Sequence, residues 1–361
     1  MRMTPACATR VNRMRCALQS ILAGIAACVA LAGCEARVSI AEAQREASAA
    51  GELMKSAAAL NAQGKSAEAE AQAKQAQEGF IRARDLYLSA RADLSDEAEV
   101  LRDFAALCER LRDFDLAGEA FLRAAAQRPD DPASATLWYS AARNFVFAGG
   151  RYLPRAAEPL DQAERLLAQG SATDVSIADI EATRGEISWK NGAYELAAKR
   201  YATALAADPQ SLRAKMLSAC GAIAVGDLEF AGATLAELQA MNAPVGEGSA
   251  FDARLREAYA AFRRTRPALP EDAASYRALA GISVRVGFLD EARAAIEHAI
   301  RLDDRDVFAW NMAGSLAQQA GDVARARAAF TRSLELDPNQ PRTQDALAQL
   351  TAAGTGQGPL K

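Results

Sequence analysis

The chain has 361 residues, half of them hydrophobic and 24% charged, with a formal net charge of −4. That length admits two ordinary domains or one extended array, and an alanine-rich composition with only 6% aromatic residues favours helices and excludes a largely disordered chain. Residues 1–33 carry Arg2, Arg10, Arg13 and Arg15 and no acid, which leaves 38 of the 42 basic residues against all 46 acidic ones in an acidic body that offers nucleic acid no electrostatic hold.

The first element is an address. A positive stretch from Arg2 to Arg15 precedes an apolar run, Cys16 to Ala32, interrupted only by Gln19 and Ser20. Positive start, short apolar core and small-residue end are the order of a secretory signal. The run sits at the bottom of the range for a spanning helix, so a retained anchor is the second reading. Leu31-Ala32-Gly33-Cys34 then resembles the lipobox of bacterial lipoproteins. The resemblance implies removal of residues 1–33 and acylation of Cys34, which would fasten the chain to a membrane through lipid. Glu35, where aspartate favours retention at the inner membrane in related lipoproteins, points to the outer membrane, with the body facing the periplasm.

Residues 34–97 form an N-terminal helical segment, a stalk or a degenerate first repeat. Its first part is rich in Ala, Glu, Gln and Lys, and Phe80, Ile81, Leu86 and Tyr87 then suggest a long helix. From residue 98 a 34-residue rhythm sets in and runs to 245 through about four units. Phe104, Ala105, Ala117, Phe121, Ala124 and Pro129 make the first, with Arg112 at a place that glycine fills elsewhere. Trp138, Ala141, Ala142, Phe145 and Gly149 open the second, which carries two extra residues before Ala156, Leu160 and Ala163. Gly185, Gly192, Ala197, Tyr201, Ala204 and Pro209 make the third, and Ala219, Gly226, Ala231 and Leu235 the fourth.

Residues 246–272 break the spacing. Phe251, Leu255, Tyr259 and Phe262 predict one connecting amphipathic helix, followed by Pro267 and Pro270. Two further units fill 273–340. Tyr276, Leu279, Ala280, Gly287, Ala292, Ile296 and Ala299 define one, with Asp304 in place of a proline; Trp310, Gly314, Gly321, Ala326, Phe330 and Pro338 define the other. Residues 341–361 read as a capping helix and a tail.

These units resemble the tetratricopeptide repeat (TPR), and the resemblance implies an all-α class: an α-solenoid superhelix of helix hairpins with an extra N-terminal helical segment. Small residues let paired helices approach, glycine turns the chain between them, and no unit buries its apolar face alone, so stacking supplies the stability. In the family, four positions of each first helix face a groove. Carried over, they are Arg102, Tyr139, Arg143, Glu186, Trp189, Arg213, Met216, Arg277, Phe308, Asn311 and Gln318. Arginine, aromatic and methionine side chains are what interface anchors are made of.

Chemistry-bearing clusters are sparse. His298 is the chain's single histidine, too few for the usual zinc or iron ligand sets, and its outward register separates it from serine and cysteine nucleophiles. Cys108 and Cys220 fall within helical patterns and read as small buried apolar residues. The expectation is a non-enzymatic scaffold or adaptor of the cell envelope, for example in outer-membrane, secretin or pilus assembly, with no metal, no cofactor and no catalytic residue. Its partners are proteins and, through Cys34, the membrane. The alternative is a structural, non-catalytic subunit of an envelope enzyme or transport complex.

Overall fold

A computed structural model describes residues 39–170, 173–241, 243 and 249–354. The leader, Cys34 and residues 355–361 lie outside the described residues. Among the described residues the secondary structure is helical without a strand, as the all-α class requires. None of these helices is long and apolar enough to cross a membrane. The chain divides into two compact units, Met1–Ser176 and Ile177–Lys361.

In the first unit, residues 39–62 (α1) pair with the long helix Ser66–Ser89 (α2). Gly79 permits the approach: a β-carbon there would lie 2.9 Å from Ala50 Cβ. A single 3₁₀ turn, Ala92–Leu94, leads into the hairpin Ala98–Leu111 (α3) and Phe114–Ala126 (α4), and the Tyr87 and Phe104 rings meet at 5.8 Å where α2 packs on α3. The residue that stands where glycine is usual, Arg112, holds the left-handed turn itself at φ 64°. The next hairpin is Ala135–Ala148 (α5) and Ala157–Leu167 (α6), and the extra residues of its turn are taken up in a 3₁₀ segment, Gly150–Ala156.

The second unit holds the hairpins Ile177–Lys190 (α7) with Tyr194–Ala207 (α8) and Leu212–Val225 (α9) with Leu228–Ala240 (α10). Helix Ala250–Thr265 (α11) follows, then Ala273–Val286 (α12) with Leu289–Leu302 (α13), Val307–Gln319 (α14) with Val323–Leu336 (α15), and the cap Pro341–Gly354 (α16). Two glycines set the depth of the packing. A β-carbon at Gly185 would lie 2.4 Å from Tyr201 Cε1, and one at Gly314 2.5 Å from Phe330 Cε1. The ring of each second helix lies on the bare backbone of its own first helix. Burying such a ring contributes about 1.5–3 kcal/mol.

Aspartates, more than prolines, end the second helices. Asp208, Asp303 and Asp337 all turn extended, and each accepts a hydrogen bond on its Oδ1 from the backbone N–H two residues on, at Gln210, Arg305 and Asn339. Asp303 does this with Asp304 after it and no proline, so the side-chain turn suffices. At the C-terminal end Ala346, Leu347 and Leu350 of α16 cover Ala326 and Phe330, as expected of a cap.

Helix α11 is no free spacer. It packs on α9, while α10 packs directly on α12, so the stack of hairpins continues past it. Its apolar stripe, Phe251, Leu255, Ala258 and Tyr259, is buried in one cluster with Trp189, Cys220 and Ile223.

Candidate functional site

The expected groove residues meet three different fates. In the first unit Arg102 is exposed on α3 and Tyr139 is buried on α5. Arg143, also on α5, forms an ion pair with Glu109 of α3, the residue one repeat earlier. Its guanidinium lies 5.9 Å from the ring of Phe147, which is half exposed.

On α7 and α9 the groove face is covered. Trp189 is only 2% exposed. Its Nε1–H donates to Glu257 Oε1 of α11 at 2.7 Å, and the Arg254 guanidinium lies 4.2 Å from its ring. Arg254 also donates to Glu186 Oε2 (2.9 Å), to Glu257 Oε2 (3.0 Å) and to the Tyr201 hydroxyl (3.1 Å). Burial works against the charge of Arg254, yet Glu186, Tyr201 and Glu257 more than offset it and hold the group above its ordinary value. Trp189 and Glu186 thus engage α11 of the same chain. Arg213 lies 3.7 Å from Asp179 and bonds Thr183 Oγ1 at 3.4 Å, and Met216 is half-buried against the same cluster.

On α12 and α14 the face carries no such helix. Arg277 is paired with Asp306, which is buried and also caps α14 by accepting from the Ala309 N–H at 3.0 Å. The fixed guanidinium lies 5.8 Å from the ring of Phe308, which is 72% exposed. Asn311 is tied to the cap: it donates to Gln340 Oε1, and its Oδ1 accepts from Thr343 Oγ1 at 3.0 Å. Gln318 is exposed. Each unit therefore holds an arginine paired with an acid of a neighbouring hairpin and set beside a phenyl ring, at different places in the repeat: Glu109 precedes Arg143, whose own helix carries Phe147, whereas Asp306 and Phe308 both follow Arg277.

A second surface was not foreseen. A cleft of about 420 Å³ opens between α13 and α15 with α14 as its floor, lined by Ile296, Ile300, Trp310 and Leu316 and rimmed by Arg293 and Arg325. It draws on three helices, and only the hairpin geometry brings these residues together. Arg254 and Glu257 were missed as well, although a visible signal existed: Arg254 lies one helical turn after Phe251, within the apolar stripe of α11.

His298 is bound in a surface cluster. Its Nδ1 accepts from Arg301 at 3.1 Å, which places the proton on Nε2 for donation to Glu271 Oε1 at 2.8 Å, and its ring lies 4.0 Å from that of Tyr276. Cys108 and Cys220 are buried and unbridged, and burial pushes both thiols up to about 12. Among the described residues no group of histidine, cysteine and carboxylate side chains is arranged to hold a metal ion.

Comparison with known proteins agrees with the repeat geometry. Residues 307–340 match the family model of the tetratricopeptide repeat. No curated relative matches the chain. Among solved structures, a TPR protein from Parabacteroides merdae is similar at 13% identity and a TM-score of 0.36, over 84% of this chain and 98% of that one. PilW, a type IV pilus biogenesis factor, is similar at 15% identity and a TM-score of 0.33, over 70% of this chain and 99% of its own. The TPR2AB domain of yeast Sti1, solved in complex with an Hsp90 peptide, is similar at 18% identity and a TM-score of 0.29, over 72% and 98%. At these identities the likeness concerns the fold alone.

Proposed function

We propose that this chain is a non-enzymatic protein-interaction scaffold of the bacterial cell envelope, tethered by lipid at Cys34 to the periplasmic side of the outer membrane. The observation that carries the interaction reading is a grouping found in each unit, built differently in each: Glu109–Arg143–Phe147 in the first unit and Asp306–Arg277–Phe308 in the second. Both arginines are held in place before any partner arrives, so little side-chain entropy remains to be lost on binding. The Phe308 ring is largely exposed, and the Phe147 ring is half exposed beside Phe114 at 5.1 Å. Arginine and aromatic side chains in such a setting are the usual anchors of an interface. The lipid tether is supported by the Leu31-Ala32-Gly33-Cys34 sequence after an apolar run. Duties in outer-membrane, secretin or pilus assembly fit a scaffold so placed.

The cleft between α13 and α15 favours a second reading, in which the opposite face of the repeats docks into an enzyme or transport complex as a structural subunit. Crosslinking in intact envelopes separates the two. Phe147→Ala and Phe308→Ala remove exposed rings and leave the core intact, whereas Ala328→Glu puts a charge into the cleft from an exposed position. The scaffold reading expects partner crosslinks to fall at least tenfold in the phenylalanine double variant and to persist in the cleft variant. The opposite pattern transfers the partner to the cleft.

A further inference from the structure

We propose that α11 is a ligand the chain carries for its own groove: an amphipathic helix seated on the groove faces of α7 and α9, which a partner helix of the same chemistry displaces. The inference rests on the proposed scaffold function and adds a second binding place with its kind of partner, a helix with aromatic and leucine anchors one turn apart and an arginine between them.

The placement of α11 carries the argument. Glu186 and Trp189 on α7, and Cys220 and Ile223 on α9, occupy the same two positions of consecutive repeat frames, both groove-facing in the tetratricopeptide pattern. All four meet α11 or share its buried cluster. Arg254 takes Glu186, Glu257 takes the Trp189 indole, and Cys220 is buried in the same cluster as the α11 stripe. Leu255 and Tyr259 pack with Ile223. A groove built to take a helix would be filled in this way.

Three features separate α11 from the repeat core. The stack runs on beneath it, because α10 rests directly on α12. It stands outside the 34-residue rhythm, between the sequence Pro244-Val245-Gly246-Glu247-Gly248 and a non-helical stretch with Pro267 and Pro270. Its contact with α7 joins Arg254 and Glu257 to Glu186 and the Trp189 indole, and among the described residues the buried Nε of Arg254 meets no acceptor. A desolvated, partly unsatisfied charge gives specificity more than stability. The C-terminal turns are held separately: the Tyr259 hydroxyl donates to Glu291 Oε2 and accepts from Ser283 Oγ, both at 2.6 Å, and Arg263 pairs with Glu291 at 3.0 Å. An intramolecular ligand acts at a millimolar-scale effective concentration, so only a partner that binds well can replace it.

The test uses the full-length chain and two thiols as reporters. Cys220 lies under α11, and Cys108 in the other unit is the internal control. Arg254→Glu sets a carboxylate against Glu186 and Glu257. Peptide-resolved alkylation should then show Cys220 reacting at least tenfold faster with Cys108 unchanged, and the swap Glu186→Arg with Arg254→Glu should restore protection. A synthetic peptide of residues 249–266 should restore the protection of Cys220 in the Arg254→Glu chain in a dose-dependent way, slowing its alkylation at least tenfold at saturation. Failure of the peptide to protect overturns the proposal. Hydrogen exchange of the unaltered chain decides independently of any variant's folding: α11 amides should open at least tenfold more often than those of α7 to α10, and joint opening of all five helices makes α11 part of the core. Neither readout involves an external partner, so either can fail while the envelope crosslinks at Phe147 and Phe308 stand.

Discussion

Arg112 stands in left-handed geometry at φ 64°, where glycine takes the same conformation at Gly192, Gly226, Gly287 and Gly321. A side chain in that region costs about 1–2 kcal/mol. Its guanidinium recovers little of this, lying 5.9 Å from the Phe114 ring. Arg112→Gly should therefore stabilise the first unit by about 0.5–1 kcal/mol after allowance for the freer unfolded chain, seen as a higher urea midpoint. A lower midpoint would show that the Arg112–Phe114 contact outweighs the backbone strain. A second residue-scale expectation concerns Glu181, buried on α7 and bonded by Arg184 and Arg200 at 2.8 Å each. Burial alone would raise its carboxyl, but the two arginine hydrogen bonds overcome that and set it below the ordinary 4.5. A lowered folded value means the stabilisation is fully present above the unfolded value and is lost as pH falls through the folded one. Glu181→Gln should cost about 1 kcal/mol near neutrality, the low end for charged hydrogen bonds because Arg200 is 41% exposed. The two chains should converge in stability as pH falls through and below that lowered value. A gap that stayed constant into acid would remove the ion pair from the account.

The hairpins were readable because their determinants are local. Gly314 and Phe330 belong to one repeat frame, and the spacing that identifies them also makes them touch. Even the Glu109–Arg143 pair was within reach, since a separation of 34 is one repeat length. The seat of α11 was not. Arg254 finds Glu186 68 residues upstream, two repeat lengths away, but α11 lacks the signature residues of a repeat unit, so the frame assigned it no phase and no partner. Its amphipathic face was legible, whereas its target was not. The same holds for Asn311, which has the register of a groove residue and the partners of a strut. It joins α14 to α16 through Gln340 and Thr343, and Gln340 in turn donates to the Ser333 carbonyl at 3.0 Å. Asn311→Ala would strip a partner from each of two part-buried groups, at a cost of about 1–3 kcal/mol. The measurement is the unfolding midpoint of the second unit, with hydrogen exchange to localise the loss to α14 and α16. An unchanged midpoint would return Asn311 to the pool of residues available for binding.

At the scale of the whole molecule, repeat stacking explains how a chain with sparse aromatics folds, and the proposed tether would give residues 1–34 their purpose. A solenoid presents long faces instead of an enclosed pocket, so the place where it is held governs which partners reach it. On the proposed reading, residues 1–34 set that place. If Cys34 is acylated, each methylene entering the bilayer contributes about 0.8 kcal/mol, and several chains together hold the protein durably. The mature protein should then begin at Cys34, carry acyl mass on that residue, and partition into detergent and with outer-membrane fractions. Cys34→Ala removes the sulfur that receives the lipid, so residues 1–33 should remain attached and the acyl mass should vanish. Intact-mass spectrometry of the membrane fraction reads both changes at once. If the alanine variant matured to the same amino terminus and fractionated as before, the leader would be an ordinary secretory signal and the scaffold would work untethered.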